Sequence, residues 1–166
     1  MTSEMSEPRR IAVATFGRSD FSILRPLCRM LLDDPDHDIG MWVGGAHFEE
    51  ISGRTVREIE DSGIPIWARI DSTASDRSAL GTVDAMAAQM RGFAYAAAAV
   101  DTATVEITGP PADLVLILGD RFEAIAAGLA MVPLGIPVGH ISGKRHRGGD
   151  RRRVPALPHE DRRDPL

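Results

Sequence analysis

Between Asp113 and Ser142 the chain reads DLVLILGDRFEAIAAGLAMVPLGIPVGHIS, and no other stretch limits its possible folds as tightly. Leu114 to Leu118 is an uninterrupted apolar run with a β-branched centre, the pattern of a strand covered on both faces. Gly119-Asp120-Arg121 ends the run, a helical segment from about Phe122 to Met131 follows, and Pro137 to Ile141 reads as a second buried strand. Strand, helix and parallel strand in this order make a right-handed crossover. In open parallel sheets ligands bind at the carboxyl ends of the strands, which places Asp120 and Arg121 at the functional rim.

The preceding residues repeat the alternation. Arg10 to Phe16 forms a first strand, and a helix from about Phe21 to Leu32 follows the turn Gly17-Arg18-Ser19-Asp20. Asp20 is placed to cap that helix with its side-chain oxygen, and Pro26 fits only if the helix starts late enough to hold it in the first turn. Ile39 to Val43 is the second strand, Thr55 to Asp61 a short helix with Val56 and Ile59 inward, and Ile64 to Ala68 a third strand whose proline favours a sheet edge. Alanine-rich helical spacing runs from about Ser78 to Ile107, until Gly109-Pro110-Pro111 stops it. The expected fold class is therefore α/β, a Rossmann-like parallel sheet with helices on both faces.

Size and composition agree with a single domain of 166 residues, 43% of them apolar and 26% charged. No stretch approaches the roughly 18 uninterrupted apolar residues of a membrane span. MTSEMSEPRR lacks the layout of a signal peptide, so a cytoplasmic location is the default expectation. The lone Cys28 reads as a small buried hydrophobe. The formal charge of −5 divides unevenly, −9 over residues 1–143 and +4 over 144–166. Clustered arginines suit nucleic acid, but without aromatic residues for stacking or a periodic apolar face, no nucleic-acid partner is expected. No membrane partner is expected either.

Three strand ends carry polar groups: Gly17-Arg18-Ser19-Asp20, Gly45-Ala46-His47 and Gly119-Asp120-Arg121-Phe122-Glu123. Arg18 and Arg121 each offer a planar donor fork for phosphate or carboxylate, and the helices starting beside them add positive potential. The plainer reading pairs Arg18 with Asp20 and Arg121 with Glu123, and makes Asp120 a helix cap. His47 and His140 suit structural roles better than catalytic ones, and their spacing carries no metal signature. Thr15-Phe16-Gly17-Arg18 lacks the glycine spacing of a dinucleotide fingerprint, which disfavours a stand-alone Rossmann-like oxidoreductase.

At these residues the chain resembles the hydrolysing UDP-N-acetylglucosamine 2-epimerases of sialic and legionaminic acid synthesis. GRSDFSILRPL (17–27), GGAHFEEISGRTVREIEDSGIPI (44–66) and DLVLILGDRFEAIAAGLAMVPLGIPVGHISG (113–143) match in the family's order and spacing. The resemblance implies one half of a glycosyltransferase B-type two-domain fold, with the active site in the cleft between the halves. It implies elimination of UDP from a UDP-sugar to a 2-acetamidoglucal, addition of water to give N-acetylmannosamine, and a homo-oligomer. No metal or redox cofactor is implied. Carried over by position, Asp120 matches an acid/base carboxylate, and Arg18, Ser22 and Arg121 match nucleotide contacts. His47, Glu123 and His140 complete the candidate set. Part of the family has glutamate where this chain has Ser142, which leaves the second proton-transfer group unidentified.

After Gly143 the family pattern stops. The expected division is a disordered N-terminus at 1–9, the Rossmann-like epimerase domain at 10–143, and an irregular basic tail at 144–166. Shifted by one base, codons permitted by Gly143 and KRHRGGDRRRVPA can spell G-N-V-T-E-G-A-I-D-D-A-Y-R-H, which resembles the family's continuation VTEGAIDDAYRH. The tail is accordingly read as out-of-frame sequence, and the chain as the N-terminal half of such an enzyme, inactive by itself. The other readings kept are a non-catalytic nucleotide-binding module and a functionless truncated product.

Overall fold

Period-two burial along β1 (Arg9–Thr15) organises the molecule, because its alternate side chains feed two different cores. Ile11 and Val13 join Phe21, Leu24, Cys28, Ile39, Met41 and Ile59 on one face of the sheet. Ala12 and Ala14 join Trp42, Trp67, Phe93, Val115, Ala127 and Met131 on the other. A strand buried on both faces must lie inside a sheet with helices on either side.

The computed structural model describes residues 7–72 and 78–141. After β1 come α1 (Arg18–Leu32), β2 (His37–Val43), two single 3-10 turns, α2 (Val56–Glu60), β3 (Ile66–Ile70), α3 (Ala79–Ala97), β4 (Val105–Ile107), β5 (Leu114–Leu118), α4 (Phe122–Met131) and β6 (Val138–Ile141). The sheet order is β4-β3-β2-β1-β5-β6. All pairings are parallel except β3 with β4, which is antiparallel.

Five expectations need correction. The alanine-rich run is not one element: α3 ends at Ala97, and Val105–Ile107 returns as the antiparallel edge. That strand covers β3, so Pro65 precedes an interior strand, not an edge; its carbonyl accepts from the Met41 amide at 2.7 Å. Helix α1 starts earlier than expected and passes through Pro26. The proline ring lies on the exposed side, where water can satisfy the carbonyl it frees, while Phe21, Leu24 and Cys28 anchor the opposite face. Gly17, in extended conformation, is the cap residue, and Asp20 is the third residue of the helix. Finally, β6 is half-exposed and not a buried strand.

Strand β1 begins at Arg9, one residue before the expected Arg10. Residues 1–6, Ser142, Gly143 and the basic tail lie outside the described residues. Cys28 is fully buried as expected, its thiol 3.5 Å from the Met41 sulfur, and burial pushes it up to about 11.

Two close fits fix the layers. The Trp67 indole lies between Gly40 and Gly109, where an added β-carbon would come within 2.2 Å of the ring at either position. At the amino ends of the strands, Arg10 grips Asp113: its amide and Nε donate to Oδ2 at 3.0 and 3.1 Å, and Nη2 to Oδ1 at 2.7 Å. The Asp113 amide answers to the Arg10 carbonyl at 2.8 Å, locking β1 beside β5.

Gly40→Ala or Gly109→Ala should destabilise the chain by about 1–3 kcal/mol through overpacking, read as a lower urea midpoint with a shifted tryptophan emission. Hydrogen bonds from Arg10 hold the Asp113 carboxyl down to about 2. A folded-state value below the unfolded one stabilises above the ordinary carboxylate range, and the gain is lost as pH falls. Asp113→Asn should thus lower the urea midpoint near neutrality, with the gap to the parent closing as pH drops from about 4 toward the folded-state value.

Candidate active site

The winding of the sheet reverses at β1: β2 and β3 lie to one side, β5 and β6 to the other. The loops leaving β1 and β5 therefore part at their carboxyl ends and open a crevice, the general position for a ligand in this architecture. Gly17 follows β1 there, and Gly119-Asp120-Arg121 follows β5.

Gly119 takes a left-handed φ of 82°, which suits glycine and turns the chain sharply out of the strand. Arg121, not Asp120, is the residue that precedes α4 in capping position, and it makes no side-chain cap. Its guanidinium is clasped by Glu123, Nε to Oε2 at 3.1 Å and Nη2 to Oε1 at 2.7 Å. Glu123 is 3% exposed. The free edge of the fork reaches Gly17, where a β-carbon would lie 3.5 Å from Nη1. Glu123 raises the Arg121 pKa, burial opposing it, so the fork is a fixed cation with an open side.

The remaining candidates flank this centre. Asp120 is exposed, and no partner of its carboxylate is recorded among the described residues. It borders a shallow apolar groove of about 350 Å³ shared with His140, Ile125 and Leu129. His140 is exposed, and its Nε2 lies 2.6 Å from the Gly119 carbonyl, an acceptor, so that nitrogen carries the proton and ties β6 to the turn holding Asp120. On the other flank, Arg18 pairs with Glu58 at 3.0 Å rather than with Asp20. Ser22 donates to the Arg18 carbonyl at 2.9 Å and lines a polar cavity of about 390 Å³ between α1 and α2, with Arg25, Asp61 and Ser62. Arg18, Asp120 and Arg121 thus share one rim without touching one another.

His47 stands apart from them. It is fully buried, with Nε2 2.9 Å from the Thr15 hydroxyl and Nδ1 2.8 Å from the Thr55 hydroxyl. Burial, helped by Arg121, lowers it to about 4, so it is neutral at ordinary pH and pins the loop after β2 to β1. Among the described residues no group of three His, Cys, Asp or Glu is arranged to hold a metal ion. No helix among them is long and apolar enough to cross a membrane.

Sequence reasoning missed one polar group here, Gln89, and misassigned another, Asp20. Asp20 is 8% exposed, and its Oδ2 has no partner among the described residues. Gln89 on α3 is 1% exposed with both amide atoms unpartnered among the described residues, and its Oε1 and Nε2 would lie 3.1 and 3.5 Å from a β-carbon at Gly44. A signal existed for Gln89, which falls at helical spacing among Ala85, Gly92, Phe93 and Ala96, the buried face of α3.

No family model matches the chain. It is 31% identical over 140 residues to the UDP-N,N'-diacetylbacillosamine 2-epimerase (hydrolyzing) of Legionella pneumophila, covering 84% of this chain and 34% of that protein. A solved UDP-N-acetylglucosamine 2-epimerase superposes with a TM-score of 0.59 at 18% identity, over 81% of this chain and 33% of the other. The Neisseria meningitidis UDP-GlcNAc 2-epimerase, solved bound to UDP-GlcNAc, gives 0.59 at 17% identity, over 80% and 31%. At those identities the structures share the fold. The chain spans about a third of the length of the relatives it matches. By sequence, this chain is a relative of the hydrolysing UDP-sugar 2-epimerases and corresponds to the N-terminal part of them.

Proposed function

We propose that residues 10–143 are the nucleotide-sugar half-site of a hydrolysing 2-epimerase acting on a UDP-linked 2-acetamido sugar, in the cytoplasm and on a route to sialic or legionaminic acids. The observation that carries this reading is the Arg121 fork, held open at Gly17 beside Asp120 where the sheet reverses. In the proposed reaction a base removes the C2 proton as the C1–O bond breaks and UDP departs. Water then adds across the resulting double bond to give the free 2-epimer. Asp120, exposed on the groove it shares with His140, is assigned the proton transfer in this reading. Arg121 meets the charge that grows on the departing diphosphate, and Arg18 and Ser22 hold the nucleotide farther along the rim.

A half-site binds without catalysing, because the reacting carbon must be enclosed and oriented from both sides. The 166-residue chain should release no UDP from UDP-N-acetylglucosamine above background in a coupled assay; sustained turnover would refute the half-site assignment. Calorimetry with UDP should give saturable heat, and Arg121→Ala should weaken it at least about tenfold, the worth of one charge-assisted contact. A flat titration would instead favour a functionless product.

For residues 144–166 we propose out-of-frame sequence, supported by the run of permitted codons after Gly143. Sequencing the coding DNA should reveal a reading frame, one base displaced near Gly143, that continues into a second domain. Stop codons soon after that position in the displaced frame would end the idea.

A further inference from the structure

Asp20 has no cap to make, yet it is buried at the start of the 15-residue helix α1. Its Oδ1 accepts from the Ser19 hydroxyl at 3.3 Å, while Oδ2 is enclosed and unpartnered among the described residues. A carboxylate in that position is costly unless a cation faces it or it carries a proton. Burial raises the Asp20 pKa, and Arg121 is the first influence opposing it, followed by the Phe16 backbone and the Ser19 hydroxyl. The other charged groups around the pair offer no substitute. On α4, Glu123 adds negative charge and has both oxygens on Arg121. After β2, Glu49 also faces the Arg121 guanidinium, and His47 is neutral. On α1 itself, Arg18 is drawn away to Glu58.

An anion seated on the open side of Arg121 therefore changes the surroundings of Asp20 twice. It offsets the guanidinium's field and brings a second negative charge close by. Resting on the reading of Arg121 as an anion-binding group, we infer that a phosphoryl anion binds this rim together with one proton, which the Asp20 carboxyl takes from solvent on Oδ2. Like charges held close cannot both stay ionised cheaply, and the enclosed oxygen is the free site for the proton. Asp20 is thus a binding-determining residue: it sets the pH range in which the rim accepts a phosphate or diphosphate.

Titration calorimetry of the whole chain tests this, with inorganic sulfate as a tetrahedral anion that does not itself titrate near neutrality, and with UDP. Repeating each titration in buffers of different ionisation enthalpy counts the protons. The parent should take up close to one proton per anion, and its affinity should weaken by up to about tenfold per pH unit. Asp20→Asn, similar in shape and always neutral, should bind with no such uptake, no such slope, and at least parental affinity near neutrality. Arg121→Ala should lose both binding and uptake. Equal proton counts in parent and Asp20→Asn would overturn the inference while leaving the half-site reading intact. Binding by Asp20→Asn alone would support it, since the ionised carboxylate then excludes the anion. No binding by either protein would reject the anion-binding reading of Arg121, and this inference with it.

Discussion

The pairing of β1 with β5 is the constraint on which the rest of the structure depends. Winding proceeds from β1 toward β4 on one side and restarts at β5 on the other. Only at that seam do two successive crossovers diverge and leave a crevice. The Arg10–Asp113 clasp holds the seam at its amino end, and Ile11, Ala12 and Val13 pair with Leu114, Val115 and Leu116 along it. A one-residue slip would exchange the two cores, turning Ala12 and Ala14 toward α1 and Ile11 and Val13 toward α3 and α4. The same seam brings Gly17 under the Arg121 guanidinium, so the register that sorts the cores also builds the rim.

Charge on this rim is organised by burial more than by number. Glu123 is enclosed, and its hydrogen bonds to Arg121 run through both carboxylate oxygens. That geometry fixes the fork without filling it, because the guanidinium keeps a side facing Gly17. Asp20 approaches from the neighbouring helix without a direct bond. One cation is therefore shared among buried acids, so an added anion tips the cluster further toward negative charge unless a proton arrives with it. His47, by contrast, has both nitrogens taken by threonine hydroxyls and carries the loop rather than the charge.

Legibility in the sequence followed the range of the forces involved. The β5-turn-α4 unit was readable because its apolar run, its glycine and its helical spacing are all local, and the structure has β5 and α4 at the residues expected. The Arg121–Glu123 pair was visible as the plainer alternative for the same reason. The antiparallel return at Val105 was not: a three-residue strand is too short to show alternation, and its place beside β3 is decided by tertiary packing. Pro65 misled because its position relative to an edge depends on that hidden strand. Asp20 misled because a carboxylate after a glycine turn fits a cap, and only the neighbouring helix reveals that it is enclosed. Arg18 found Glu58, forty positions away in sequence, where local reading offered Asp20.

The wedge of Trp67 between Gly40 and Gly109 ties three distant codons into a single unit of evolution. Either glycine gains a side chain only at a packing cost while the indole stays, and a smaller residue at Trp67 would open a void that only larger neighbours could refill. Substitution at either glycine is therefore eased when the ring shrinks first, at the expense of a loosened intermediate.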